Sequence, residues 1–284
     1  MTIGGSFPLS LDLASNTQEA SAYGDALHGE YVSAIPFHHI VIDNFLNPEI
    51  LDRVISDIQS LPEAAESFAR SQERLKSSYD PELLPEYTRN LFRFFNSRPF
   101  VVFLEKMTGI PGLITDPLYT GGGIHEIKTG GHLDIHADFN YHAGMKVERR
   151  LNALIYLNKD WKPEYGGQFE IWDKNMSQRA KSLDPIFNRC VVFSTDSESY
   201  HGNPNVVAHE RGLSRFSIAL YYYTATWDGT RRKHLTQFKQ RPNTNDTFDW
   251  TTRTRELLRD ITPPFALRLA KRAAKSIKKT SPSA

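Results

Sequence analysis

Two histidines and one carboxylate stand at a spacing that could hold a metal. In Gly131-His132-Leu133-Asp134-Ile135-His136-Ala137-Asp138-Phe139-Asn140, His136 and Asp138 are two residues apart. On a β-strand they point the same way and take adjacent corners of one ion. A third ligand is available in His201, within the polar stretch Ser199-Tyr200-His201-Gly202-Asn203-Pro204 that follows the apolar run Cys190-Val191-Val192-Phe193. Two imidazoles and one carboxylate on one face of an ion leave the opposite positions open to a chelating co-substrate and O2, the arrangement of non-haem Fe(II) sites. His132 and Asp134 form a second His-x-Asp, on the same face under strict alternation, and spacing alone does not choose between the two pairs.

Farther on, 215–223 alternates so that Arg215, Ser217, Ala219 and Tyr221 share one face of a strand. An arginine on an inward face needs an anion. A dicarboxylate such as 2-oxoglutarate supplies one, its keto-acid end chelating the metal while its distal carboxylate accepts the planar guanidinium fork and a hydroxyl hydrogen bond.

His-x-Asp, then a distal His, then Arg-x-Ser, in that order, resembles the Fe(II)/2-oxoglutarate-dependent dioxygenases. The strand Leu154-Ile155-Tyr156-Leu157-Asn158-Lys159-Asp160-Trp161 narrows the resemblance to the prolyl 4-hydroxylase-like branch, whose hypoxia-sensing members carry a similar stretch. The likeness covers roughly residues 36–226. It implies His136, Asp138 and His201 as ligands, because the distance from this pair to the Tyr156 strand and the following Phe139-Asn140 fit the family register. It also implies Arg215, Ser217 and Tyr156 as co-substrate residues. Two departures are visible. The spacing from His201 to Arg215 is longer than in the animal prolyl hydroxylases, and His125 or Glu126 stands where those enzymes place a second co-substrate tyrosine.

The implied activity is oxidation, by hydroxylation, of a C–H bond in a small molecule, an amino acid or a peptidyl residue. Fe(II), 2-oxoglutarate and O2 take part, ascorbate is a supporting reductant, and succinate and CO2 are released. A non-catalytic jelly-roll that only binds a metal or ligand would use the same triad but has no need of a buried dicarboxylate anchor. A nucleic-acid enzyme on this scaffold would carry a basic channel with stacking aromatics. The basic residues cluster instead in the tail and near Arg231, so no nucleic acid is expected. Phe139, Tyr141, His142, Trp172, His125 and His209 are candidates for the substrate wall.

These residues need a scaffold, and the strand rhythm supplies one. Short strands at 151–157, 168–172, 189–193 and 215–223, separated by turn residues, predict a mainly β double-stranded β-helix, or jelly-roll, with flanking helices. A strand near 37–46 leads to Asn47-Pro48, an N-cap followed by a first-turn proline, and to a helix whose Ile50, Leu51, Val54, Ile55 and Ile58 recur at helical spacing. Helices are also expected near 86–95 and 99–107, and 63–76 is polar and helix-compatible. Residues 1–35 read as a loosely ordered arm, 36–230 as the oxygenase-like jelly-roll, and 231–284 as an extension. That extension holds a helix-like 252–260 and a basic helix from about 265, suited to an acidic partner or a membrane face.

A net charge of +1 gives no global case for a polyanionic partner. The lone Cys190 excludes an intramolecular disulfide and suits a reducing cytoplasm. No window reaches the length of a membrane span, and 1–31 lacks the basic start and apolar run of a secretory signal.

Overall fold

The computed structural model describes residues 5–60, 66–250 and 254. Its elements in chain order are α1 (Thr17–Ser33), β1 (His39–Ile42), α2 (Pro48–Ile58), β2 (Glu66–Ala69), β3 (Glu73–Tyr79), α3 (Glu86–Phe95), α4 (Arg98–Thr108), β4 (Ile114–Thr115), β5 (Gly123–Ala137) and β6 (Tyr141–His142). There follow β7 (Val147–Tyr156), β8 (Phe169–Trp172), β9 (Arg179–Leu183), β10 (Cys190–Ser194), β11 (His201–Asn203), β12 (Arg215–Thr224) and β13 (Gln237–Phe238). The strands form a curled sheet in the order β1-β10-β7-β12-β5-β11-β8-β9, and every paired strand runs antiparallel to its neighbour. This is the double-stranded β-helix with flanking helices.

Alternation divides each central strand between two environments. Cys190, Val192, Ala153, Ile155, Ile218, Leu220 and Tyr222 face the helices in one large apolar core. Tyr156, Val191 and Phe193 face the other way, with Phe169 and Ile171. The helical side is aromatic: Phe100 lies 5.5 Å from Phe103, 4.9 Å from Phe95 and 6.2 Å from Tyr222. The helices thus brace one layer of the sheet from behind and leave the concave face free.

Residues 5–35 are not a loose arm. Phe7 is 1 % exposed and sits among the rings of Tyr23, Phe45, Phe94, Phe100 and Phe103. Asn16 caps α1, its side chain accepting from the backbone N–H groups of Gln18 and Glu19, and Tyr31 donates to or accepts from Ser194 at 2.7 Å. The buried stripe of α1 is only Ala20, Gly24, Leu27 and Tyr31, too thin to read as amphipathic. Close approach gives it its grip: a Cβ on Gly24 would lie 2.4 Å from the Phe103 carbonyl oxygen of α4.

A second expectation also fails. Within 63–76 the chain forms not a helix but the hairpin β2–β3, and β3 pairs with β5 from Ile124 to Leu133. Helix propensity over a short polar stretch is weak, and pairing to a fixed strand overrides it. The compact unit that holds these elements runs to Thr247, past the boundary expected at 230, because β13 pairs with Ala137 and His136 of β5. In the separate unit 248–284 the Phe248 and Trp250 rings are 4.7 Å apart. The expected basic tail, and 252–260 apart from Thr254, lie outside the described residues. No helix among the described residues is long and apolar enough to cross a membrane.

The α1–α4 contact gives a prediction. Gly24→Ala should raise the propensity of an isolated helix by about 1 kcal/mol, yet here it should lower the melting temperature, because the methyl meets backbone that cannot step aside. A thermal scan of the variant checks this, and a rise in melting temperature would show that α1 does not pack as described.

Candidate metal centre and anion pocket

His136 is the penultimate residue of β5, Asp138 lies just past the strand's end, and His201 opens β11 directly opposite, paired with His136. One ligand atom from each lies within 4.8 Å of the others. His136 Nδ1 is 2.8 Å from the Asp134 carbonyl oxygen and His201 Nδ1 is 2.8 Å from that of Ser199. A carbonyl can only accept, so both rings carry their proton on Nδ1 and present a bare Nε2. The two Nε2 atoms flank Asp138, at 3.7 Å from Oδ1 and 3.3 Å from Oδ2. This is a donor set for one metal, with each imidazole fixed by a backbone partner as metal-binding histidines require.

The rival pair is turned away. β5 pairs with β11 through His136 and through Leu133, three residues apart, while β11 advances only from His201 to Asn203. The extra residue is a β-bulge, and it switches which side chains face the concave side. His125, Ile127 and Leu133 face the cavity before the bulge, and His136 and Asp138 after it. His132 instead bonds the Ser71 carbonyl at 3.1 Å. Asp134 is buried near Asp246, and that burial, with the like charge, pushes its carboxyl up to about 7. Strict alternation had put both pairs on one face, and the bulge separates them.

Asp138 is held by residues that the spacing rules did not single out. Arg149, 2 % exposed, lies 3.2 Å from Asp138 Oδ2, and Asn152 Nδ2 donates to the same oxygen at 2.8 Å. Arg149 also donates to Asn152 Oδ1 from Nε and one terminal nitrogen, and its guanidinium is stacked between Phe139 at 4.5 Å and Tyr221 at 3.6 Å. Burial alone would raise the Asp138 carboxyl. Arg149 foremost, then His201 and His136, hold it well below the usual carboxylate range. Asp138 therefore stays ionised with Oδ2 occupied, and the His136 imidazole, pushed down to about 3 chiefly by burial and next by His201, stays neutral. A divalent cation needs both states.

The triad opens on a cavity of about 210 Å³. Arg215 and Ser217 line it from β12, and Phe139, Leu154, Phe169 and Phe193 give it apolar walls. Arg215 is 3 % exposed, donates from Nε to the Gly167 carbonyl at 2.9 Å, and forms no ion pair with any described residue. Burial accordingly pulls its guanidinium pKa down. Tyr156, opposite Ser217 on β7, does not line the cavity. Its ring lies 4.9 Å from the Arg215 guanidinium carbon, and its buried hydroxyl has no hydrogen-bond partner. A buried cation and an orphaned phenol side by side are what an absent anion would leave.

Of the expected wall residues, His125 and Phe139 line the cavity. Trp172 donates to Glu170 and packs with Ile135 and Tyr200, Tyr141 stacks near Trp227 under Lys233, His142 bonds Thr120, and His209 packs on Tyr165. Two segments not expected there do contribute. The hairpin brings Glu73 and Lys76, ion-paired at 2.8 Å, and β13 brings Phe238, whose ring centroid is 5.4 Å from that of His136. Asn140 fixes the approach to β13, donating to the Arg232 carbonyl at 2.9 Å and accepting from the His234 N–H at 3.0 Å.

Residues 122–223, which include all six residues expected at the site, match the family model of the 2OG-Fe(II) oxygenase superfamily. Over that stretch the chain is similar to the 2OG-Fe(II) oxygenases. It is 32% identical over 79 residues to prolyl 3-hydroxylase OGFOD1 of Mus musculus, a match that spans 26% of this chain and 14% of that protein. The chain superposes on a prolyl hydroxylase from Trichoplax adhaerens, solved with a hypoxia inducible factor peptide fragment, at a TM-score of 0.53 and 19% identity, over 72% of this chain and 91% of that one. A prolyl 4-hydroxylase structure from Phytophthora capsici gives a TM-score of 0.52 at 14% identity, over 79% and 70%. The chain therefore shares the fold of these two structures.

The buried imidazole should make the metal-free protein acid-labile. With the folded pKa of His136 depressed to about 3 from 6.5, the unfolded chain binds the proton first, so stability present above pH 6.5 is lost as pH falls toward 3. The slope should reach about 1.4 kcal/mol per pH unit from this group. Urea midpoints of metal-free protein between pH 7.5 and 5 measure it, and His136→Leu should flatten the profile. An equal pH dependence in that variant would locate the proton uptake elsewhere.

Proposed function

We propose that His136 Nε2, His201 Nε2 and Asp138 hold Fe(II), that Arg215, Ser217 and Tyr156 receive the distal carboxylate of 2-oxoglutarate, and that the enzyme hydroxylates a C–H bond of a peptidyl or small-molecule substrate. The observation that carries this reading is Arg215, a buried cation without a counter-ion that opens on the same cavity as the triad. When bound, Fe(II) with 2-oxoglutarate and O2 supplies the oxidising chemistry, with release of succinate and CO2.

The chain's own residues bind, orient and exclude. Arg149 and Asn152 occupy Oδ2 of Asp138, so the carboxylate meets the ion from a fixed direction. Arg215 offers its unoccupied terminal nitrogens to a carboxylate as a planar fork, and the Ser217 hydroxyl stands on the same strand face. The neighbouring Tyr156 hydroxyl, whose pKa burial raises, remains a neutral donor. Phe139, Phe169, Phe193 and Phe238 keep water from the reacting centre.

Prolyl chemistry is supported by the mouse relative and the two superposed structures, all of which are named for it. Succinate release from purified protein given Fe(II), 2-oxoglutarate, ascorbate and proline-containing peptides or pooled small molecules is the direct test. Within it, Arg215→Ala should weaken 2-oxoglutarate binding by about ten-fold or more, the loss of a hydrogen-bonded pair to a charged group. Metal affinity should be unaltered. Arg215→Lys should recover part of the loss, since an ammonium cannot make the planar fork. An unchanged dissociation constant in Arg215→Ala would place the anion elsewhere.

A further inference from the structure

The cavity contains one more unpaired donor, and the fold places it between the two ends of the proposed co-substrate. Asn203 is 4 % exposed, lines the same cavity as the triad and Arg215, and its Nδ2 has no hydrogen-bond partner among the described residues. Such a group, enclosed and unpaired, is costly in a finished fold and points to a missing acceptor.

Its position follows from β11. His201 stands at the metal end, and Asn203, two residues on, shares its face roughly 7 Å along the strand. Two residues farther, the Asn205 carbonyl accepts from the Gly167 N–H at 3.0 Å, and the Gly167 carbonyl accepts from Arg215 Nε at 2.9 Å. Asn203 therefore lies along the path from the metal ligand to the anion anchor. Its aim is built in. The β5 bulge presses against β11 at Gly202, where a Cβ would lie 2.7 Å from the Asp134 carbonyl oxygen and 2.9 Å from that of Leu133. Only glycine allows that contact, and the contact sets the register that brings Asn203 opposite Leu133.

We propose that Asn203 is a third anchor of 2-oxoglutarate, its Nδ2 donating to a carboxylate oxygen of the bound co-substrate. The role rests on the oxygenase reading of the site but is separable from it. Arg215 supplies charge and a terminal fork, whereas Asn203 supplies a neutral donor along the length of the molecule and fixes its rotation about the line from metal to anchor. A co-substrate free to turn about that line would bind more weakly even with its distal carboxylate held.

The test uses the full chain loaded with Ni(II), which binds without turning over. Titration calorimetry gives the dissociation constants of Ni(II) and of 2-oxoglutarate for the wild type, Asn203→Leu and Asn203→Asp. Asn203→Leu keeps the size and removes the donor, and it should weaken 2-oxoglutarate by about ten-fold while leaving Ni(II) affinity within about two-fold. Asn203→Asp sets a like charge against the co-substrate and should weaken it further. It also serves as the test if the leucine variant does not fold. Unchanged 2-oxoglutarate affinity in the folded variants overturns the proposal and leaves Arg215 as the anchor. A wild-type protein that binds Ni(II) but no 2-oxoglutarate would instead remove the oxygenase reading itself, and this role with it.

Discussion

The site depends on one irregularity in the backbone, the extra residue that β5 inserts between Leu133 and His136 where it pairs with β11. β5 also pairs with β3, β12 and β13, so four neighbours hold it in register. A strand so constrained cannot slide to relieve the bulge. Instead the bulge transfers the inward face from Leu133 to His136, turns the Asp134 carbonyl to accept from His136 Nδ1, and leaves room at β11 only for Gly202. The same few atoms therefore orient a metal-binding ring, exclude the competing His132 and Asp134, and set the spacing to Asn203.

Charge makes the second demand. Two buried arginines line the cavity, one tied and one free of any protein carboxylate among the described residues. Burying a cation without a partner opposes folding, so the free one is tolerable only where something else stabilises the fold. The aromatic layer does so. Phe7, Phe45, Phe94, Phe95, Phe100 and Phe103 are almost wholly buried against the back of the sheet, and a fully buried phenylalanine side chain contributes about 1.5–3 kcal/mol. Helices α1 and α4 thus brace from behind the curled sheet on which Arg215 and Tyr156 stand.

How much of this could be read from the chain alone follows from which rules stay local. The helix after Asn47-Pro48, the strands of β7, β10 and β12, and the inward face shared by Arg215 and Ser217 follow from period and capping, and they are where the residues said they would be. The jelly-roll was legible through order and spacing, and of the six residues expected at the site five line one cavity while Tyr156 stands beside Arg215. Arg149 and Asn152 were not, because residues three apart on a strand fall on opposite faces. They converge here only because β7 carries its own bulge, with Tyr222 opposite Leu151 and Tyr223 opposite Arg149. The hairpin β2–β3 was misread as helix since its strand character comes from β5, more than forty residues away in sequence. The N-terminal segment was underestimated for a related reason: the signal for α1 lies less in its apolar content than in the fit of Gly24 against α4, which no pattern within 17–33 shows.

The enclosure of the metal centre reaches beyond the stretch that matches the family. Thr236 and Phe238 lie past residue 223, yet both line the cavity, and the Phe238 ring stands 5.4 Å from that of His136 near the end of β5. What fixes them is again backbone. β13 bonds to β5 at Ala137 and His136, the Lys239 N–H donates to the Ile135 carbonyl at 2.7 Å, and Asn140 grips the chain from both sides at Arg232 and His234. Since Asn140 follows Asp138 by only two residues, the segment that carries a metal ligand also positions the far wall. The backbone that carries Asp138 and the backbone that carries Phe238 are thus joined by hydrogen bonds on both sides of the cavity.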